Sequence, residues 1–163
     1  MNEEKYDVRQ NRDQITPLDA IDRKLLGVLV EDATMSYAEL GKRVALSAPA
    51  VHERVKRLRR SGVIRRTSVQ ISPQAIGRSL LAFVHVDTKG WGKTPELMRL
   101  ASCPEVEEIH SVAGDTSMLL KIRTEDARAL EVLLSGLYEI PGVSATRTYV
   151  VLSTYLERSV QAG

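Results

Sequence analysis

The chain has 163 residues with 43% hydrophobic content, a globular composition long enough for one ordinary domain or two small ones. Its apolar runs fall short of the roughly 18 residues of a membrane span, its opening segment has no basic-then-apolar leader pattern, and the lone Cys103 excludes an internal disulfide or a multi-cysteine metal site and fits a reducing, cytoplasmic compartment. The net charge of +2 hides a split: residues 1–79 hold 15 Lys+Arg and 10 Asp+Glu (+5), whereas residues 80–163 hold 8 and 11 (−3), the pattern of two modules with different partners.

Residues 1–17 are mostly polar and predict a mobile tail. Asp19 caps a first helix in which Ile21, Leu25, Leu26, Leu29 and Val30 recur at helical spacing up to Glu31. Ser36 and Glu39 have the spacing of a capping box and open a short second helix through Leu40 and Val44 to a break near Ala45-Leu46. Ser47 caps a third helix with Pro49 in its first turn and Val51, Val55 and Leu58 as the buried stripe, ended by Ser61-Gly62. These three helices predict a compact helical unit over residues 18–66. Val63 to Ile71 reads as a strand that runs into a linker, residues 67–79, where Ser72-Pro73 and Gly77 are breakers.

The second half alternates. Leu80 to Asp87 predicts a strand, Thr94-Pro95-Glu96 the start of a helix through Leu97, Met98, Leu100 and Ala101, and Val106 to Val112 a second strand. Ala113 to Ser117 is a turn, Met118 to Arg123 a strand, and Thr124 the cap of a helix carrying Leu130, Leu133, Leu134 and Leu137. Pro141-Gly142 then leads into a long strand, Val143 to Tyr155. The order βαββαβ over residues 80–156 is that of a ferredoxin-like domain, an antiparallel sheet with both helices on one face, followed by a C-terminal tail, 157–163. The fold class is therefore α+β. The second sheet face needs a cover, and a partner subunit on Tyr149, Val151 and Tyr155, or on Val150 and Leu152, supplies it.

Between Lys42 and Arg66 nine Lys+Arg face one acid, Glu53, a local charge of +8. On the third helix Arg54 and Arg57 lie three apart, off the apolar stripe, and read as an exposed basic ridge. A solvated charged face has the same composition. The nearly unopposed sign, the helix-turn-helix spacing and the small residues Ser47, Ala48 and Ala50 at the helix start favour DNA, with the helix N-terminus placed for phosphate and Arg54 and Arg57 for phosphate or guanine edges.

Leu18-Asp19-Ala20-Ile21-Asp22-Arg23, Glu39-Leu40-Gly41-Lys42-Arg43-Val44, Leu46-Ser47, Glu53-Arg54-Val55, Arg57-Leu58 and Gly62-Val63-Ile64 resemble the helix-turn-helix of the Lrp/AsnC (feast/famine) transcriptional regulators. Val112-Ala113-Gly114-Asp115, Pro141-Gly142-Val143 and Thr146-Arg147-Thr148-Tyr149-Val150-Val151 resemble the effector-binding domain of the same family. The resemblance spans Leu18 to Leu156. It implies a helix-turn-helix over Tyr37 to Lys56, with Ser47 to Arg57 as the reading helix. The implied DNA contacts are Ser36, Tyr37, Lys42, Arg43, Ser47, Ala48, Pro49, Ala50, His52, Arg54, Lys56 and Arg57. It further implies dimers assembled into octamers, with an amino acid bound between dimers by Ser111, Gly114, Asp115, Thr116, Ser117, Met118, Tyr149, Val150 and Val151. Many members carry an acidic residue and an aromatic after Gly-Asp, where this chain has Ser117 and Met118. Read without the resemblance, Gly114-Asp115 suits a plain hairpin turn and Tyr149 to Val151 ordinary sheet packing.

His52, His85 and His110 are scattered and predict packing or cross-strand bonding rather than a metal site, and Cys103 has no nucleophile signature. Trp91, between Gly90 and Gly92, predicts either an inter-subunit or effector-lid contact or burial against its own domain. The leading expectation is a cytoplasmic, nucleoid-associated, DNA-binding regulator without catalytic residues, metal or cofactor, modulated by an amino acid. The alternatives are an effector-independent architectural DNA-binding protein and a small-molecule-binding enzyme or regulatory subunit. The last lacks a nucleophile–base pair at motif spacing and a phosphate loop.

Overall fold

The computed structural model describes residues 17–89 and 95–162. The expected N-terminal tail up to residue 16, Trp91 and Thr94 lie outside the described residues. The chain forms two compact units, one of residues up to Val69 with those from Glu157 onward, the other Gln70–Leu156.

The first unit holds α1 (Ala20–Glu31), α2 (Tyr37–Val44) and α3 (Ala48–Arg60). Each starts on the residue its sequence designates. The Asp19 carboxylate accepts the Asp22 N–H at 2.7 Å and Asp22 accepts the Asp19 N–H at 3.2 Å, a closed capping box on α1. Ser36 and Glu39 close a second box on α2, and Ser47 accepts the Ala50 N–H on α3, with Pro49 in the first turn. Leu25, Leu40, Val44, Val51, Val55 and Leu58 form the core, surrounded by partly buried Leu18, Ile21, Leu46 and Val63.

The connection from α2 to α3 depends on two backbone features. Ala45 adopts the left-handed conformation (φ 57°), and the Leu46 N–H returns to the Gly41 carbonyl at 2.9 Å. This brings the Leu46 carbonyl against Gly41 so closely that a Cβ there would overlap it.

The capping carboxylates make this unit acid-sensitive. Bonds from the Ser36 hydroxyl and then its amide hold Glu39 below the usual carboxylate range, as the Thr34 hydroxyl and amide do for Asp32. For Asp19 the Asp22 amide acts first and Arg54 second. A depressed folded-state pKa adds stability above the unfolded value and loses it as pH falls through the folded one. The melting temperature of the helical unit is therefore expected to fall on acidification below about pH 4, the ordinary carboxylate range. Glu39→Gln should make that fall shallower; an unchanged pH profile in this variant would remove the Ser36–Glu39 box from the account.

Past Gly62 the expected strand does not form. Residues 65–72 are exposed and carry no regular secondary structure, and a turn follows at 73–77.

In the second unit β1 (Leu80–Thr88), β2 (Val106–Ser111), β3 (Met118–Thr124) and β4 (Val143–Val150) form one antiparallel sheet in the order β2-β3-β1-β4, the ferredoxin-like arrangement. The first crossover is a short α4 (Pro95–Met98) that tightens into a 3-10 turn, Arg99–Ser102, so Leu100 and Ala101 are not α-helical as expected. The second is α5 (Ala127–Tyr138), capped by Asp126, whose carboxylate accepts the Ala129 N–H at 2.8 Å. Thr124 is not the cap. It ends β3, and its hydroxyl donates to the Asp126 carbonyl at 2.9 Å. The helix-side core is Ala82, Val84, Val86, Leu97, Leu100, Met118, Leu120, Ile122, Leu130 and Leu137.

Registered pairs define the opposite face: Leu81 with Arg123, Phe83 with Lys121 and Tyr149, and His85 with Leu119 and Arg147. On its β2 side Arg123 pairs with Glu107 at 2.6 Å and Lys121 lies 3.3 Å from the same carboxylate. β4 stops at Val150, shorter than expected. The Val151 N–H still donates to the Leu81 carbonyl at 2.9 Å, and beyond it Leu152 and Tyr155 are exposed.

Candidate nucleic-acid interface and effector region

α3 divides into four stripes at helical spacing. Val51, Val55 and Leu58 are buried in the core. His52 and Arg59 stand on one flank, where the His52 ring packs against Tyr37 of α2 at 5.1 Å between centroids. Pro49, Glu53, Lys56 and Arg60 form the outermost stripe and are exposed. Ala50, Arg54 and Arg57 form the other flank, which faces α1.

That last stripe corrects the expected exposed ridge. Arg54 Nη1 donates to Asp19 Oδ2 at 2.6 Å and Asp22 Oδ1 at 2.8 Å, and Arg57 Nη2 donates to Asp22 Oδ2 at 2.5 Å. Asp22 is fully buried, while the Arg54 and Arg57 side chains are 26% and 42% exposed. Both guanidinium groups are held inward because a buried carboxylate requires paired donors. The sequence did carry a signal. Asp22 stands three residues before Leu25 and seven before Leu29, an acid inside the apolar stripe of α1.

The other expected contacts are distributed over α2 and the start of α3. Ser36 spends its hydroxyl on Glu39 at 2.7 Å. Tyr37 is half-buried under His52, and Lys42 and Arg43 are exposed in the last turn of α2. Ser47 and Pro49 are exposed at the N-terminus of α3, with Ala48 and Ala50 partly buried beside them, and Lys56 is exposed along the helix. Arg59 and Arg60, absent from the expected set, extend the outward cationic surface.

In the sheet unit the nine expected effector residues separate into two groups. The turn between β2 and β3 brings Ser111, Gly114, Asp115, Thr116, Ser117 and Met118 together beside Val86, Asp87 and Thr88 of β1. Tyr149 and Val150 pair with Phe83 and Ala82, three or more residues back along β1, about 10 Å at strand rise. Within the turn Met118 and Thr116 are buried. The Thr116 hydroxyl lies 3.2 Å from the Val86 carbonyl and 3.3 Å from that of Met118, and Ser117 Oγ accepts the Thr88 N–H at 3.2 Å. Thr116, Ser117 and Met118 thus fasten the turn, and Ser111, Gly114 and Asp115 remain exposed.

Arg147, named only within the sequence motif, links the turn to the sheet. Its Nη2 donates to the Asp115 carbonyl at 3.0 Å and lies 3.7 Å from the Asp87 carboxylate. Nearby, the His85 ring packs against Tyr149 at 5.0 Å. At the far edge the His110 imidazole, bonded to Glu108 at 2.8 Å, holds that carboxyl below its usual range. Among the described residues no three His, Cys, Asp or Glu side chains are grouped to hold a metal ion.

Residues 18–59 match the AsnC-type helix-turn-helix domain and residues 81–161 the Lrp/AsnC ligand binding domain. The HTH-type transcriptional regulator FL11 of Pyrococcus horikoshii is 38% identical over 86% of this chain and 93% of its own length. The leucine-responsive regulatory protein of Escherichia coli is 41% identical over 83% and 85%. A feast or famine regulatory protein of Mycobacterium tuberculosis, solved in complex with L-methionine, superposes with a TM-score of 0.80 at 38% identity, covering 86% of this chain and 96% of that one.

Proposed function

Because the chain belongs to the Lrp/AsnC family of transcriptional regulators, we propose that it acts as a dimer on a pseudo-palindromic DNA site, with an amino acid modulating its assembly. The observation that carries the DNA half is the outward surface of α3. Pro49, Lys56, Arg59 and Arg60 stand clear of the core on a helix whose neighbour α2 is locked to it by the Gly41–Leu46 turn. Lys42, Arg43 and the exposed start of α3 at Ser47 supply further donors for phosphate. The working division is residues 18–66 for DNA, 67–79 as connector and 80–156 for assembly and sensing.

Assembly uses the open face of the sheet. Phe83, Tyr149 and Val151 offer apolar area on its β1–β4 side, with Leu119 of β3 beside them, and the Glu107–Arg123–Lys121 group offers polar contacts on its β2–β3 side. A second copy covering this face gives the dimer, and dimers associate further into an octamer. The effector contacts the exposed part of the turn, Ser111, Gly114 and Asp115, close to Arg147. Support comes from the M. tuberculosis relative bound to L-methionine and the leucine-responsive one. Ser117 and Met118, where many relatives carry an acid and an aromatic, point away from an anchored α-amino group at that place. We assign no catalytic role to any residue, and a cytoplasmic, nucleoid-associated location follows from the function.

Mechanistically, a ligand that binds one assembly more tightly shifts the population toward it and so alters which half-site spacings are spanned. Thermal-shift screening of the proteinogenic amino acids on the full chain tests this. One or a few are expected to raise the melting temperature, by about 2.7 kcal/mol of linkage at a hundredfold excess over Kd, and to change the sedimentation coefficient. A flat response to all of them, with DNA binding intact, would favour the effector-independent architectural reading.

A further inference from the structure

The capping box of α1 and the orientation of α3 are one hydrogen-bonded device. Asp19 and Asp22 cap each other's amides, and the same two carboxylates take Arg54 and Arg57 from the reading helix. Two carboxylates meet two guanidinium groups. The Asp22 carboxylate, fully buried, accepts from one amide and two guanidinium groups, which uses most of its lone-pair capacity. Arg57 Nε is buried with no hydrogen-bond partner among the described residues, and Nη2 carries the bond to Asp22. A planar guanidinium held this way resists rotation, and Arg54 bridges both carboxylates from a point three residues before Arg57.

We propose that Asp22 is a positioning residue for DNA binding. It sets the reading helix against the first turn of α1 through Arg54 and Arg57, and the Asp19–Asp22 pair, by neutralising both, leaves phosphate contact on α3 to Lys56, Arg59 and Arg60. The proposal rests on the reading of this chain as a DNA-binding protein. Its consequence is a count. A cation already paired with a carboxylate releases no counterion from DNA, whereas a free one that meets a phosphate adds about 0.9 to the slope of log affinity against log salt.

The test is that slope, measured for the full chain on a random-sequence duplex, where phosphate binding dominates. Lys56→Gln and Arg60→Gln are expected to flatten it, by about 0.9 for each phosphate no longer neutralised. Arg54→Gln and Arg57→Gln are expected to weaken binding at every salt concentration and leave the slope at the wild-type value. Asp22→Asn, which removes the charge and keeps the shape, frees Arg57 and leaves Arg54 on Asp19 alone, and is expected to steepen it. A merely structural role for Asp22 moves affinity without steepening the slope. Lys56 and Arg60 are exposed, so their variants fold even where the clamp variants do not. Flattening in Arg54→Gln or Arg57→Gln overturns the proposal, as does an unchanged slope in both Lys56→Gln and Arg60→Gln. A wild-type chain with no salt-dependent DNA affinity overturns the DNA-binding reading itself, and the clamp with it, a result distinct from either of these.

Discussion

Replacing Asp22 by alanine is expected to destabilise the helical unit by about 3 kcal/mol, read as a lower urea midpoint with an unchanged m-value. The carboxylate is fully buried and receives both arginines, so its removal leaves Arg57 without its partner and Arg54 on Asp19 alone. Breaking a buried pair in this way costs about 3–5 kcal/mol. The lower end applies because Arg54 and Arg57, at 26% and 42% exposed, partly rehydrate. The α1 capping box also loses one of its two bonds. A double-mutant cycle with Arg57→Ala should show strong coupling, with the pair of substitutions costing less than the sum of the two. Additive losses would mean that the two side chains do not interact in solution.

Gly41→Ala is expected to cost about 2–3 kcal/mol, the range for forcing extra volume into a packed site, and to lower DNA affinity at least about tenfold. The new methyl group would overlap the Leu46 carbonyl oxygen, which is backbone and has no rotamer to yield. Relief requires the α2–α3 turn to open, and that turn is closed by the Leu46 N–H bond to the Gly41 carbonyl. Moving it displaces Ser47 and the whole start of the reading helix. Ala45→Gly in the same turn should have the opposite sign. Ala45 is left-handed (φ 57°), a conformation that costs a residue with a Cβ about 1 kcal/mol and glycine almost nothing. A destabilised Ala45→Gly together with a neutral Gly41→Ala would show that the turn differs from the one described.

The helices were legible because their ends are chemical. Asp19, Ser36, Ser47 and Pro49 occupy positions that satisfy orphan amides or need none, and the structure uses each as a cap or first-turn residue. The sheet was legible through alternation, and its order follows from two βαβ units in sequence. Partnership was not legible where it depended on tertiary neighbours. Val63 to Ile71 has strand composition, yet a strand exists only with an edge to pair with, and β4 ends at Val150, opposite Ala82. Thr124 and Asp126 are both good caps by type, and only the geometry at the end of β3 selects Asp126.

The candidate site shows the same boundary. Charge counting located the basic helix, but it cannot tell an arginine that points outward from one that turns back onto a buried acid. Arg54 and Arg57 lie off the apolar stripe in sequence and still face α1, because Asp22 draws them there. Likewise Arg147 sits far from Asp115 in sequence, and only the placement of β4 beside β1 brings it to the turn. Thr116 and Met118, expected at the effector, are buried in that turn and fasten it, which the sequence alone does not show.

Sequence-specific DNA binding is tested by selecting bound sequences from a random duplex library with the full chain and competing the enriched duplex against unselected DNA at low and moderate salt. The expected result is an enriched motif of two symmetric half-sites, a centre-to-centre spacing near one helical turn or a multiple of it, and affinity that falls steeply as salt rises. An unenriched pool together with affinity insensitive to salt would contradict it.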